Sequence, residues 1–183
     1  PIREKILSSL SYVENNKSVL SLIIGAFILV IVASGYYSST TKALNSETSI
    51  KFGKAINSSI DGNEPDASVF SDIISSGSRS GAANSLIYMI DYNLKQGNDF
   101  AVDSLLALDI TVEDKYLQSK LLSLKGDRAF DRMEYDGALG YYQDAKKLDV
   151  SMENSLNLKQ ISVHIEMGNK DEAMGMLNKM LED

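Results

Sequence analysis

Catalysis at neutral pH needs a nucleophile, a poised base or a metal-ligand set, and this chain has few residues from which to build one. His164 is its only histidine, and it contains no cysteine. Zinc centres of the nitrogen–sulfur kind need three or four such ligands, so none can be assembled, and disulfides are excluded. His164 falls between Val163 and Ile165 inside a helical pattern, where a histidine reads as structural. The carboxylates Asp127, Asp131, Glu134 and Asp136 cluster in sequence but lack the spacing around a central glycine that a calcium loop requires. They read as a solvated helix face. No glycine-rich phosphate loop follows a strand pattern, and Asn57-Ser58-Ser59 matches a glycosylation sequon at chance frequency. No catalytic residue, metal or cofactor is expected, which leaves binding as the function to look for.

The elements that would carry a binding surface begin with an apolar run. Val19–Tyr37 contains no charge, and the uncharged stretch extends from Ser18 to Thr41. At 1.5 Å per helical residue its apolar part covers roughly 28 Å, close to the hydrocarbon thickness of a bilayer. A core helix would carry a polar face, whereas this one offers only Ser21 and Ser34, so the run reads as a transmembrane helix. It is longer than the roughly 7–15 apolar residues of a cleaved signal peptide, which favours a retained anchor. Ile2, Ile6, Leu10 and Val13 form one helical stripe ahead of it, flanked by Arg3 and Lys5. That stripe suits either the inner leaflet or a partner subunit.

Charge is divided along the chain. Residues 1–54 carry six Lys/Arg against three Asp/Glu, and residues 55–183 carry twelve against twenty-two. The acidic C-terminal part would repel phosphates, so nucleic acid is not an expected partner. Basic residues flank the apolar run evenly, with Arg3, Lys5 and Lys17 before it and Lys42, Lys51 and Lys54 after it. Orientation therefore rests on the short N-terminal and long C-terminal arms. These favour a single-pass protein with its N-terminus inside and its C-terminal domain outside.

Helical periodicity dominates the chain from residue 42 onward. Linker helices are expected at 42–60 and 66–76, separated by Asp61-Gly62-Asn63-Glu64-Pro65, and the serine-rich run 75–81 reads as a flexible connection. Beyond it a pattern recurs. Gly97-Asn98-Asp99-Phe100-Ala101-Val102, Met133-Glu134-Tyr135-Asp136-Gly137-Ala138 and Gly168-Asn169-Lys170-Asp171-Glu172-Ala173 succeed one another at intervals near 35 residues. Each block joins two helices. The first helices are expected at about 82–96, 115–131 and 152–167, and the second at about 99–109, 135–148 and 170–181.

This pattern resembles the tetratricopeptide repeat, most clearly in the middle unit at Leu122, Gly126, Tyr135, Ala138, Tyr142 and Ala145. Gly126 and Ala138 are small where two helices would cross, Tyr142 would fill the next layer, and Ala145 would admit the following hairpin. Lys125 and Ala129 depart from the family's usual leucine and tyrosine, and Val150 stands where proline usually closes the unit. The third unit keeps Gly168, Ala173 and Leu177 but has Ile161 in place of the first-helix glycine. The first keeps little beyond Gly97, Leu106 and the period. The fold class expected is all-α. It comprises a short amphipathic segment (1–17), one transmembrane helix (18–41), linker helices (42–81) and a tetratricopeptide-like solenoid of three degenerate hairpins (82–183).

The layout as a whole resembles the YfgM-type ancillary subunits of the bacterial SecYEG translocon. That resemblance implies a periplasmic domain associated with the translocon and a membrane-anchored chaperone of the prolyl-isomerase type. The family's groove positions fall on Ile87, Asp91 and Leu94 in the first unit. They fall on Ser123, Asp127 and Phe130 in the second, and on Leu158, Ser162 and Ile165 in the third. The wall so formed mixes apolar and acidic groups and lacks the lysine/asparagine set that captures a peptide carboxylate. It suits a basic-apolar segment or a flat protein surface, unless the linker helices fill the groove. Two non-enzymatic functions are open: a scaffold assisting a translocation or chaperone complex, or an accessory subunit of another large membrane complex.

Overall fold

The computed structural model describes residues 17–60 and 63–182, with side-chain surroundings from Gly25 onward. All regular structure among these residues is helical: α1 (Lys17–Ile60), α2 (Ala67–Ser75), α3 (Gly81–Lys95), α4 (Asp99–Leu106), α5 (Lys115–Asp131), α6 (Tyr135–Leu148), a 3-10 turn (Val150–Met152), α7 (Glu153–Glu166) and α8 (Lys170–Glu182). The chain divides into two compact units, one ending at Leu44 and one running from Asn45.

The first unit contains the N-terminal part of α1. The amphipathic stripe expected at 2–14 lies outside the described residues, as do the side chains of 18–24 at the start of the expected span. Among the described residues no helix is long and apolar enough to cross a membrane. Over Phe27–Val32 every side chain points outward, with exposures of 55–70 %. No helix boundary separates the apolar run from the linker helix expected at 42–60; both belong to α1. Neither proline nor a positive-φ glycine interrupts the junction. The Thr40 hydroxyl donates back to the carbonyls of Tyr36 and Tyr37 at 3.1 and 3.0 Å, so the local polar groups stay satisfied within the helix.

In the second unit, side-chain caps set the starts of α2, α4 and α5. Asp66, Asn98 and Asp114 accept from the backbone N–H groups of Ser68, Ala101 and Leu117 at 3.0, 3.3 and 3.0 Å. The three repeated turns share one backbone geometry. In each, an N–H bonds a carbonyl five residues back: Asn98 to Asn93 (2.9 Å), Glu134 to Ala129 (2.9 Å) and Asn169 to His164 (2.8 Å). The residue before each donor has positive φ: Gly97 at 66°, Met133 at 62° and Gly168 at 78°. This is a Schellman-type helix end, repeated three times.

Met133 occupies that left-handed position with a side chain, which costs about 1–2 kcal/mol per residue relative to the right-handed helix. Its side chain is 74 % exposed, so removing it sacrifices little packing. Met133→Gly is therefore expected to raise stability by about 1 kcal/mol, read as a thermal midpoint a few degrees higher. A lower midpoint would show that the side chain makes a contact outweighing the backbone strain.

Three apolar clusters succeed one another along the second unit. Ala55, Phe70 and Met89 join α1, α2 and α3. Leu86, Ile90, Val102 and Leu124 join α3, α4 and α5. Ala129, Ala138, Tyr142, Ala145, Leu156 and Val163 join α5, α6 and α7. Contacts thus pass from each helix mainly to its neighbours, as in a one-dimensional stack. Within the central hairpin, Gly126 faces Tyr142 while Ser119 donates to the carbonyl of Ala145 at 2.9 Å. As one helix advances the other recedes, so α5 and α6 are antiparallel.

Two expectations change. The run 75–81 is not a loose connection: Ser78 is 1 % exposed and is hydrogen-bonded to Thr48, Asn45 and the N–H of Gly81. Serines read as flexible in sequence because their hydroxyls compete for backbone groups; here Ser75 and Ser76 bond carbonyls of α2, and the Ser78 hydroxyl meets Thr48 and Asn45 of α1. The helix expected at about 99–109 also ends early, at Leu106. Leu108–Ile110 instead form part of the connection to α5.

Candidate functional site

The nine expected groove positions lie on α3, α5 and α7, the first helices of the three hairpins. Their surroundings differ. In the first unit Ile87 packs against the Leu86–Ile90–Val102–Leu124 cluster, Asp91 is half-buried and Leu94 is exposed. In the second, Ser123 is 1 % exposed and Phe130 lies against Tyr135, their ring centroids 5.9 Å apart. In the third, Leu158 and Ile165 are 52 % and 53 % exposed, and Ser162 is exposed with its hydroxyl bonded to the carbonyl of Leu158. The open part of the surface is therefore Leu94, Leu158, Ser162 and Ile165. The middle unit contributes chiefly packing.

Asp127 sits in a polar clamp between the second and third hairpins. Lys159 of α7 donates to both of its carboxylate oxygens at 2.6 Å and to the Ser123 hydroxyl at 2.9 Å. The Tyr142 hydroxyl donates to the same carboxylate at 2.8 Å, and the Lys159 ammonium lies 5.7 Å from the Tyr142 ring centroid. Burial, reinforced by the hydrogen bond to Asp127, pushes the Tyr142 phenol upward, so it remains a donor at any ordinary pH. Asp127 is spoken for, and the acidic character expected of the wall rests on Asp91. Lys159 and the role of Tyr142 in this clamp were missed in the sequence. Nothing in the helical spacing pairs them: Lys159 lies 36 residues after Ser123 and 32 after Asp127, and only the packing of α7 on α5 brings it to both.

Among the described residues no substantial packing joins the linker helices to α5 or α7. The end of α1 and α2 pack instead on α3 through an aromatic triad. Phe70 stacks on Tyr88 with centroids 4.8 Å apart, and Phe52 meets both rings edge-on at 6.0 and 6.3 Å.

A second ionic network joins the first two hairpins. Arg128 of α5 grips Asp103 of α4 through Nε at 2.7 Å and a terminal nitrogen at 3.1 Å, and reaches Asp99 at 3.1 Å; Arg132 also pairs with Asp103. The Arg128 hydrogen bond, helped by the charges of Arg128 and Arg132, holds the Asp103 carboxyl below its ordinary value of 3.8. A depressed carboxylate contributes stability above its unfolded value and loses it as pH falls through the folded one. The α4–α5 link should therefore be at full strength above about pH 4 and weaken in stronger acid. Asp103→Asn should flatten the acid limb of a melting-temperature profile between pH 5 and 2. An unchanged limb would assign acid sensitivity to other carboxylates.

Among the described residues no three His, Asp or Glu side chains gather as a metal-binding group. Asp131, Glu134 and Asp136 of the acidic cluster are exposed. His164 is half-buried on α7, with Nδ1 enclosed and without a hydrogen-bond partner. No protein-family model matches the chain, and neither the curated proteins nor the solved structures contain a match.

Proposed function

We propose that this chain is a non-enzymatic, membrane-tethered interaction scaffold whose helical hairpins form a tetratricopeptide-like module. The observation that carries this reading is the threefold recurrence of one turn geometry at Gly97, Met133 and Gly168, with Leu94, Leu158 and Ile165 left open on the first helices. Stacked hairpins present first-helix side chains as an extended surface, and apolar groups there gain by covering. The tether is the uncharged stretch 18–41, whose described portion exposes Phe27–Val32 in the way a helix in lipid would.

The resemblance to YfgM-type subunits supplies the working identity of the partner, a translocation or chaperone complex of a bacterial inner membrane, with the hairpins on the periplasmic side. Affinity purification of the full chain in mild detergent is expected to recover translocon or chaperone components. Recovery of a stoichiometric complex of different composition would select the alternative, an accessory subunit of another membrane assembly. Orientation has its own test, because the chain is cysteine-free. A single cysteine at Ser151 should react with an impermeant maleimide outside the inner membrane, and one at Ser8 should not. The reverse pattern would invert the topology.

A further inference from the structure

Between the first and second hairpins the core does not close. A cavity of about 330 Å³ remains, walled by Leu86 of α3, Leu106 of α4, Leu121 of α5 and Leu148 of α6, with Ile110 and Val112 from the connection. Its origin is local. Because α4 stops at Leu106, Leu108–Ile110 pass over the gap as an irregular segment and do not fill it with a further helical turn. The volume falls at the lower end of the roughly 300–1,000 Å³ typical of small-molecule sites.

Three polar side chains also line this cavity. Gln118 is committed, its amide donating to the carbonyl of Val112 at 2.6 Å. Lys125 and Asp109 make no hydrogen bond or ion pair among the described residues. Lys125 also borders an adjoining polar recess containing Arg128, Arg132 and Asp103. There both guanidiniums are held by Asp103, and Lys125 makes no ion pair among the described residues, although the exposed Glu134 also lines the recess. A lysine in this position lays its methylene stem along apolar walls and offers its ammonium to a head group.

We infer that this cavity binds a single-chain aliphatic carboxylate of medium length, its tail among the leucines and its head on the Lys125 ammonium. A neutral amphiphile would leave Lys125 unpaired. A peptide would bring main-chain groups to a wall whose only amide side chain, Gln118, is already engaged. Asp109 faces the same cavity and opposes an anionic head, so it sets an upper limit on affinity and gives the site a charge signature. The inference stands on the gap between hairpins and is independent of the scaffold reading.

The test is photolabelling of the full chain in mild detergent with a decanoate analogue carrying a diazirine in its tail, followed by peptide mapping. Adducts should concentrate on the segment 106–122 and around Leu148, and excess decanoate should compete them away. One charge-assisted contact corresponds to about a tenfold change in occupancy. Lys125→Met should therefore cut labelling at these sites about tenfold, whereas Lys125→Arg should retain it, which separates loss of charge from loss of fold. Asp109→Asn should increase labelling, and the corresponding alcohol should label weakly and without dependence on residue 125. Adducts spread evenly along α1, labelling that decanoate does not compete, or labelling indifferent to Lys125→Met would overturn the proposal. Loss of labelling in both Lys125→Met and Asp109→Asn would also overturn it, since that pattern belongs to a zwitterionic ligand.

Discussion

Gly126→Ala should destabilise the hairpin domain by about 1–2 kcal/mol, and Gly126→Val by about 3, although either change removes a glycine from a helix interior. Backbone entropy alone predicts the opposite sign, a gain of roughly 0.5–1 kcal/mol for alanine over glycine. Packing decides the matter. A Cβ at this position would lie 2.4 Å from Cε1 and 2.7 Å from Cδ1 of Tyr142. The ring has little room to yield, because it is 2 % exposed and its hydroxyl is bonded to Asp127. Moving it would disturb the clamp that Lys159 completes, so the damage should reach the third hairpin. At about 2–4 °C per kcal/mol, thermal melts in mild detergent should show midpoints several degrees lower for alanine and about 10 °C lower for valine. Gly140→Ala is the control: it lies in α6 with open space around its Cβ position and should be stabilising by up to about 1 kcal/mol. A stabilised Gly126→Ala protein would show that α5 and α6 lie further apart than these distances require.

The second large effect is expected at the turn before α3. Ser78 takes a hydrogen bond from the Thr48 hydroxyl at 2.7 Å and another from the N–H of Gly81 at 3.0 Å, and gives its own to the Asn45 side chain at 2.9 Å. Asn45 also accepts from the N–H of Arg79 at 3.1 Å. Ser78→Ala removes the centre of this knot and leaves a buried N–H without its partner, a change expected to cost about 2–3 kcal/mol. Gly81→Ala should do comparable harm by a different route, since its Cβ would lie 2.6 Å from Thr48 Oγ1 and 2.8 Å from Thr48 Cβ. The two mechanisms separate in a double mutant. Thr48→Ala combined with Ser78→Ala should cost less than the sum of the single changes, because the lost hydroxyls were each other's partners. Ser78→Ala and Gly81→Ala should each also open the 75–81 segment to proteolysis. A protease-resistant Ser78→Ala protein of native melting temperature would mean that the knot contributes nothing to holding α1 against α3.

Helix positions in the second unit were legible because each depends on residues close together in the chain. Asp66 and Asp114 cap the helices that come after them, glycine stands at two of the three left-handed turns, and apolar side chains recur at helical spacing. The hairpin period was legible for the same reason, and so was the need for a small residue at Gly126. Partnerships between residues some thirty positions apart were not. Asp127 read as part of an acidic face, and only the approach of α7 reveals Lys159 upon it at 2.6 Å. The serines of 75–81 read as a loose joint until Asn45 and Thr48 are placed against them. Of the nine groove positions, sequence could name the helix face but not its accessibility. Ser123 and Phe130 turn inward, whereas Leu158 and Ile165 remain open, because burial is decided by how neighbouring hairpins stack.

By itself, then, the chain determined an all-helical build, a repeated hairpin turn, and the absence of cysteine and scarcity of histidine, the residues from which common active sites are made. Local hydrogen bonding, side-chain volume and composition are sufficient for these. The tertiary structure alone decided which charges are compensated, which apolar side chains stay exposed, and that a gap lined by Lys125 and Asp109 remains between the first two hairpins. Each of those depends on distances between elements, and a helical period carries no record of them.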